Sequence, residues 1–311
     1  MGCFKTSHIL TLSIESGKVG RMFQGTLIYG FVNSVILALI ALGFNLTFGI
    51  SGVANFAYGA LYVTAAYTAW MLLTWLKINY FLSIVLAVLF TSLIGGLIYR
   101  FILLRVRGMP ISEVIASFGM GLAILEFFRF LGFVGYEYTL PVFMDGSVSL
   151  GGTYIDLQRL FIVGIGVALV IFLWGFTHYT KTGLAFRGMA QEERTALVLG
   201  INSDKMATFS LAFGSGLAGV AAITIFPLGQ IAVEGGYSAL INALAVCIVG
   251  GLGSTVGILV ASLLIGYAQT FTATYIGSHW MMIVSLAAIL VILTVKPSGL
   301  FGKQKELEER I

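Results

Sequence analysis

Apolar runs long enough to cross a bilayer as helix, which takes about 20 residues, follow one another from residue 26 to residue 295 with short polar breaks between them. The pattern predicts about nine spans, at 26–48, 54–76, 80–104, 111–132, 159–177, 206–228, 237–252, 255–276 and 279–295. The seventh is short and rich in glycine, which reads as a broken or re-entrant helix. The expected fold is an all-α polytopic transmembrane bundle of about 8–10 spans. Residues 1–25 form an N-terminal segment, 26–295 the membrane domain and 296–311 a cytoplasmic tail.

Sidedness follows from Lys and Arg in the short connections. Arg100, Arg105 and Arg107 cluster between the third and fourth spans, and Lys181, Arg187, Arg194 and Lys205 lie two crossings later. Four more crossings reach Lys296, Lys303, Lys305 and Arg310, so both loops and the tail are expected in the cytoplasm. The connection from Pro141 to Asp156 has Asp145 and Asp156 with no Lys or Arg, and is expected outside. The basic N-terminus (Lys5, Lys18, Arg21) breaks the scheme, because three simple crossings would place it outside as well. A discontinuity in "GFNLTFGISGVANFAYG", residues 43–59, would resolve this, and its glycines with Asn45, Ser51 and Asn55 permit one. The other reading of those glycines is close helix contact through small residues.

One polar interruption is itself patterned. In "FRGMAQEERTALVLGINSDKM", residues 186–206, no glycine or proline falls between Met189 and Leu199. Ala190, Leu197 and Ile201 fall on one helical face, and Gln191, Glu192 and Thr195 on the other. The spacing predicts one amphipathic helix of about three turns, stopped at Gly200, with Asn202 or Ser203 capping the next helix. Spacing leaves two roles open: a surface helix lying on lipid, or a docking knob for a cytosolic partner.

Composition agrees with the pattern. The chain is 59% hydrophobic and 10% charged, with mean hydropathy +1.01, far from a soluble domain. The excess of 17 basic over 13 acidic residues suits cytoplasmic loops and gives no nucleic-acid signature. Cys3 and Cys247 match no disulfide framework or metal spacing, and Cys247 reads as a core filler. "MGCFKT" fits a myristoylation pattern that adds little to a spanning protein, and no cleavable signal is evident.

Few ionisable groups fall within the spans. Glu126 and Arg129, three apart, can neutralise one another, and Glu113, after Pro110 and Ser112, reads as a helix cap. Glu234, in an outer glycine-rich connection, is a solvated acid or a contact for a solute or partner. His8, His178 and His279 form no pair at helical spacing. "FGSGLAG" (213–219) lacks the strand-turn-helix setting of a nucleophile elbow, and "VGGLGSTVG" (249–257) lacks the Lys-Ser/Thr ending of a phosphate loop. An intramembrane enzyme would need a catalytic set that the sequence does not assemble. A stand-alone secondary transporter would need a carboxylate or histidine relay in place of Glu126 and Arg129.

Several stretches together carry a resemblance. "AQEERTALVLGIN" resembles the cytoplasmic EAA loop of ABC importer permeases, with Glu193 and Ala196 to Gly200 matching and Arg194 and Thr195 departing from its small residues. "GISGVANFAYGALYVTAAY", "FRGMAQEERTALVLGINSDK", "AVCIVGGLGSTVG" and "KPSGLFGK" resemble, in order, landmark stretches of LivH-type permeases of branched-chain amino acid ABC transporters. The resemblance implies an importer subunit in the cytoplasmic membrane, paired with a LivM-like permease, two cytosolic ATPases and an external solute-binding protein. No cofactor would be bound by this subunit, ATP and Mg being held by the ATPases. The coupling loop would be 178–205, with Met189, Ala190, Glu192, Glu193, Ala196, Leu197, Gly200 and Ile201 meeting the ATPase. Asn55, Tyr58 and Glu234 are the candidates for the substrate path. Where the family often reads "NFAHGE" this chain reads "NFAYGA", which leaves room for urea, short amides or another small solute.

Overall fold

The computed structural model describes residues 3–52, 54–135, 138–150 and 153–302, and gives no account of the side chains of 3–21, 150, 153, 193 and 194. His8, Cys3, Lys5, Lys18, Arg21, Lys303, Lys305 and Arg310, or their side chains, therefore lie outside the described residues, as does the side chain of Glu193.

The helices run in the order α1 (Cys3–Ser51), α2 (Tyr58–Thr74), α3 (Tyr80–Phe101), α4 (Pro110–Phe130), α5 (Leu157–Tyr179), α6 (Lys181–Gln191), α7 (Glu193–Val198), α8 (Ser203–Ile225), α9 (Gly235–Gly250), α10 (Thr255–Tyr275) and α11 (Met281–Val295). Between α4 and α5 the outer connection folds into an antiparallel hairpin, β1 (Ser147–Leu150) with β2 (Thr153–Asp156), the only strands among the described residues. Seven helical stretches, α1 from Met22 among them, are long and apolar enough to cross a membrane. The shorter α2 and α9, of 17 and 16 residues, complete the expected set of crossings. This is an all-α polytopic bundle.

α8 is the centre of the bundle, packed on α1, α2 and α3. Apolar tails of lipid leave little hydrophobic drive for helices to associate, so close van der Waals approach through small residues takes over. The "FGSGLAG" stretch provides it: Gly214 lies against the backbone of Gly43, Gly216 against Ser92, and Gly219 against Ala65 and Val88. α2 meets α9 in the same way, for a Cβ added at Gly59 would lie 2.0 Å from the Gly236 carbonyl oxygen. One set of polar side chains within the spanning helices pairs across four of them. Asn33 of α1 donates to Gln269 of α10 at 3.1 Å, Gln269 donates to Asn242 of α9 and Ser285 of α11 at 3.1 and 2.6 Å, and Ser285 donates to Asn242 at 2.9 Å. Ser285 is the only buried residue of α11, so this network fastens that helix to the bundle.

Two expectations are corrected. The helix does not break between Gly43 and Ser51; α1 runs through both glycines, and non-helical backbone is confined to the connection after Ser51, where Gly52 has φ +66°. The reason is that Gly43 and Gly49 serve close packing, against Gly214 and Gly253, rather than bending. Nor is the seventh span broken or re-entrant. α9 is one continuous helix of 16 residues, about 24 Å at 1.5 Å per residue, tucked between α1, α2, α10 and α11.

The ends of the helices sort into two faces. One gathers the α1–α2 turn, the α3–α4 connection, α7 and the start of α8 around a common cleft, with α6 packed beside it on α1, α7 and α8. The other joins Tyr29 to the hairpin at Tyr154, Tyr80 to Pro141, and Tyr138 to Ile231 through hydrogen bonds of 2.7–2.8 Å. Arg100, Arg105, Lys181, Arg187 and Lys205 belong to the first face, which the positive-inside rule makes cytoplasmic. Met22 accordingly begins the first span at the outer face, and three plain crossings lead from it to Arg107.

Candidate functional site: the cytoplasmic knob

The polar segment between α5 and α8 is tied down at both ends. Thr180 caps α6 by accepting from the Gly183 amide at 2.9 Å, and Gly183 permits the sharp turn, since a Cβ there would meet the Phe176 carbonyl oxygen at 2.0 Å. At the far end Asn202 caps α8 by accepting from the Lys205 amide at 3.0 Å, an N-cap worth about 1 kcal/mol.

The single helix expected from Met189 to Leu199 is instead two. Glu192 is extended, with φ −155° and ψ 108°, and separates α6 from the short α7. The turn lets Ala196 reach the cluster already occupied by Phe186 and Met189 against Ile50 of α1, with Ile201 packed beside it. The buried face is therefore Phe186, Met189, Ala196 and Ile201, and the expected apolar face of Ala190, Leu197 and Ile201 does not form: Ala190 and Leu197 are exposed. α7 ends as a Schellman motif. The Ile201 amide donates to Ala196 at 3.1 Å and the Gly200 amide to Leu197 at 3.0 Å, with Gly200 at φ +84°.

This geometry leaves an apolar tip. Val198 is 88% and Leu199 76% exposed, with Leu197 beside them, on a knob anchored to α1 and α8. Val198 and Leu199 went unnoticed in the sequence because helical spacing counted along an unbroken helix did not separate them from the packed face. Beneath the tip lies a cleft of about 620 Å³ lined by Ser51, Gly52, Arg107, Glu113, Leu197 and Asp204, among others. Arg107 crosses it to donate to Asp204 and Ser203 of α8. Glu113 behaves as a cap, accepting from the Gly108 amide at 2.8 Å.

The three path candidates do not meet. Asn55 is buried and folds back to accept from the Ala57 amide at 3.1 Å. Tyr58 is buried against α1 and donates to the Ile40 carbonyl at 2.6 Å. Glu234 stands at the outer face, where Arg129 bridges it to Glu126. Its carboxyl is held below the ordinary glutamate value, first by its own backbone amide and then by Arg129. Glu126 and Arg129 thus belong to a three-membered cluster rather than an isolated pair.

The landmark stretches near the end of the chain close on one another. Leu300 and Phe301 donate to the Val249 and Gly250 carbonyls at 2.9 and 3.0 Å. Gly299 and Gly302 lie against Gly251, and Asn45 of α1 accepts from the Gly253 amide at 2.7 Å. The glycines of "VGGLGSTVG" are there for backbone contact.

Residues 26–293 match the family described as branched-chain amino acid transport system, permease component. The chain belongs to this family. As a permease it is 28% identical, over 89% of its length and 95% of the relative's, to the high-affinity branched-chain amino acid transport system permease protein BraD of Pseudomonas aeruginosa. It is 26% identical, over 86% of its length and 91% of the relative's, to LivH of Salmonella typhimurium, described in the same terms. LivM of that organism is 23% identical, over 86% of this permease and 68% of that protein. Among solved structures, PsaBC from Streptococcus pneumoniae in complex with Fab shares the fold, with a TM-score of 0.53 at 11% identity over 91% of this chain and 98% of that one. The knob, residues 181–202, and the glycine contacts at 249–257 lie wholly within the matched span.

Proposed function

We propose that this permease is the membrane-spanning subunit of an ABC importer that carries branched-chain or related amino acids inward, driven by ATP hydrolysis in two cytosolic partners. A second, LivM-like permease and an external solute-binding protein complete the assembly, and ATP and Mg stay with the ATPases. The observation that carries the coupling role is the apolar tip of Leu197, Val198 and Leu199 on the cytoplasmic face. Exposed apolar residues presented by a rigid element mark a protein contact. Through Ala196, Met189 and Ile50 the knob is continuous with α1, and through Asn202 with α8, so a push on the tip moves the two helices that meet at Gly43 and Gly214. Such a shift between packed arrangements is how a small displacement is passed into a membrane domain. Asn55 and Tyr58 at the start of α2 and Glu234 at the outer face are the residues proposed to flank the solute's route.

A second reading, a permease for urea or short amides, is favoured by one observation: Tyr58 and Ala60 are both buried and neither brings an ionised group to α2. The two readings separate in proteoliposomes holding both permeases and the ATPases, with the binding protein outside. ATP-dependent uptake of labelled leucine, isoleucine and valine supports the first; uptake of urea or acetamide alone replaces it with the second. Absence of any ATP-dependent uptake, with the complex intact, removes the importer assignment.

A further inference from the structure

The cleft beneath the knob carries both charged and apolar groups in its walls. Its walls come from four separate places: the α1–α2 turn (Ser51, Gly52), the α3–α4 connection (Arg107, Gly108), the first turn of α4 (Glu113), and the knob with the start of α8 (Leu197, Asp204). The charged groups are a guanidinium and two carboxylates. Glu113 is buried and committed to the Gly108 amide, whereas the Asp204 side chain is 50% exposed and pairs at the opening with Arg107, which is 26% exposed and also donates to Ser203. Such a pair in contact with water is worth little, typically under about 1 kcal/mol, and is readily exchanged for better partners. A carboxylate offered to Arg107 gains bidentate geometry, and an ammonium offered to Asp204 replaces the charge that Arg107 withdraws. A molecule bearing both groups on one carbon satisfies both residues at once, with net charge unchanged.

The geometry points to a binding site for the zwitterionic head of an apolar α-amino acid, inserted between Arg107 and Asp204 from the cytoplasm, with its side chain toward Leu197. This rests on the importer reading above, and makes the delivered product the ligand. Occupancy would separate the α3–α4 connection from the start of α8 directly under the tip that meets the ATPase. The site would therefore lower the transport rate as product accumulates, because product favours the arrangement in which the Arg107–Asp204 contact is open and shifts the population toward it.

Two measurements test this. The first uses the isolated chain in nanodiscs and follows thermal unfolding. Leucine raises the unfolding temperature in a concentration-dependent way, whereas leucinamide, which lacks the carboxylate, 4-methylpentanoate, which lacks the ammonium, and inorganic phosphate do not. The second uses the whole transporter in proteoliposomes with the ATPases outward and loaded binding protein inside. Leucine added on the ATPase side lowers ATP hydrolysis by about fivefold. In R107K, which keeps the ion pair but not the bidentate fork, and in D204N, the ratio of rates with and without added leucine moves toward one. Taking the ratio within each variant removes any change in its basal rate. An equal shift with phosphate or 4-methylpentanoate would make this an anion site and overturn the proposal, as would undiminished inhibition in both variants. Leucine uptake without either effect rejects the site and leaves the importer reading standing. A leucine shift abolished by both variants, in a complex that transports no amino acid, retains the site and rejects its parent.

Discussion

Arg129 near the outer end of α4 donates from Nη2 to Glu234 at 2.9 Å, joining segments 105 positions apart, while its Nη1 reaches Glu126 one turn back. The outer end of α4 is thereby tied to the connection that leads into α9. Both carboxylates are more than half exposed, so the expected gain is small and screened by salt.

For Glu234 the sign of the pH effect is fixed. Its folded carboxyl titrates below the ordinary 4.5, so its contribution is present above that value and lost as pH falls through the lowered one. The unfolding temperature of E234Q should lie slightly below wild type at neutral pH and converge with it in acid or in about 1 M salt. A difference that persists under both conditions would mean that charge is not its source.

Gly59 offers a sharper test of the packing. A Cβ there runs into the Gly236 backbone, and backbone cannot move aside as a side chain can. G59A is expected to lose about 2 kcal/mol or more of stability, read as a lower unfolding temperature and less folded protein. G119A, in the same membrane domain with nothing within 4 Å of an added Cβ, should match wild type or exceed it.

Charge at the tip separates coupling from folding. V198E and L199D leave buried contacts intact, so insertion and unfolding temperature should hold, while co-purification with the ATPases falls by about 30-fold if the tip supplies about 2 kcal/mol of the contact. G200P, which forces φ negative where the Schellman motif has +84°, should abolish uptake by tilting the tip. Normal ATPase binding by both charge variants would move the docking surface elsewhere.

The segment after α11 gives a fourth expectation. Gly299 combines φ +77° with a close approach to Gly251, so G299V should release residues 298–302 from the end of α9. Faster proteolysis after Leu300, with the bundle otherwise unchanged, is the expected readout.

Hydrophobic period and length located the crossings, because a bilayer fixes how long an apolar helix must be, although the short, glycine-rich α9 read as broken or re-entrant. What stayed hidden depends on partners distant in sequence. Gly43 and Gly49 read equally well as hinge or contact until Gly214 and Gly253 were placed against them. The kink at Glu192 was invisible because the sequence around it carries no breaker, and the burial of Ala196 beside Met189 and Ile50 selects it. Gly200 and Asn202 were read correctly, since helix stops and caps are local chemistry. The Arg107–Asp204 contact joins residues 97 apart, and no local pattern announces it.

The clasp formed by Asn33, Asn242, Gln269 and Ser285 is built from amides and a hydroxyl. Among the described residues, the charged groups of the spanning helices sit at their ends, as Arg100, Glu113, Glu126, Arg129 and Arg159 do. Displacing one elementary charge through the field costs about 2.3 kcal/mol per 100 mV, and a subunit whose mid-bilayer polar groups are neutral carries no such charge. Its rearrangement should therefore be indifferent to membrane voltage, proceeding at one rate in polarised and depolarised vesicles supplied with the same ATP.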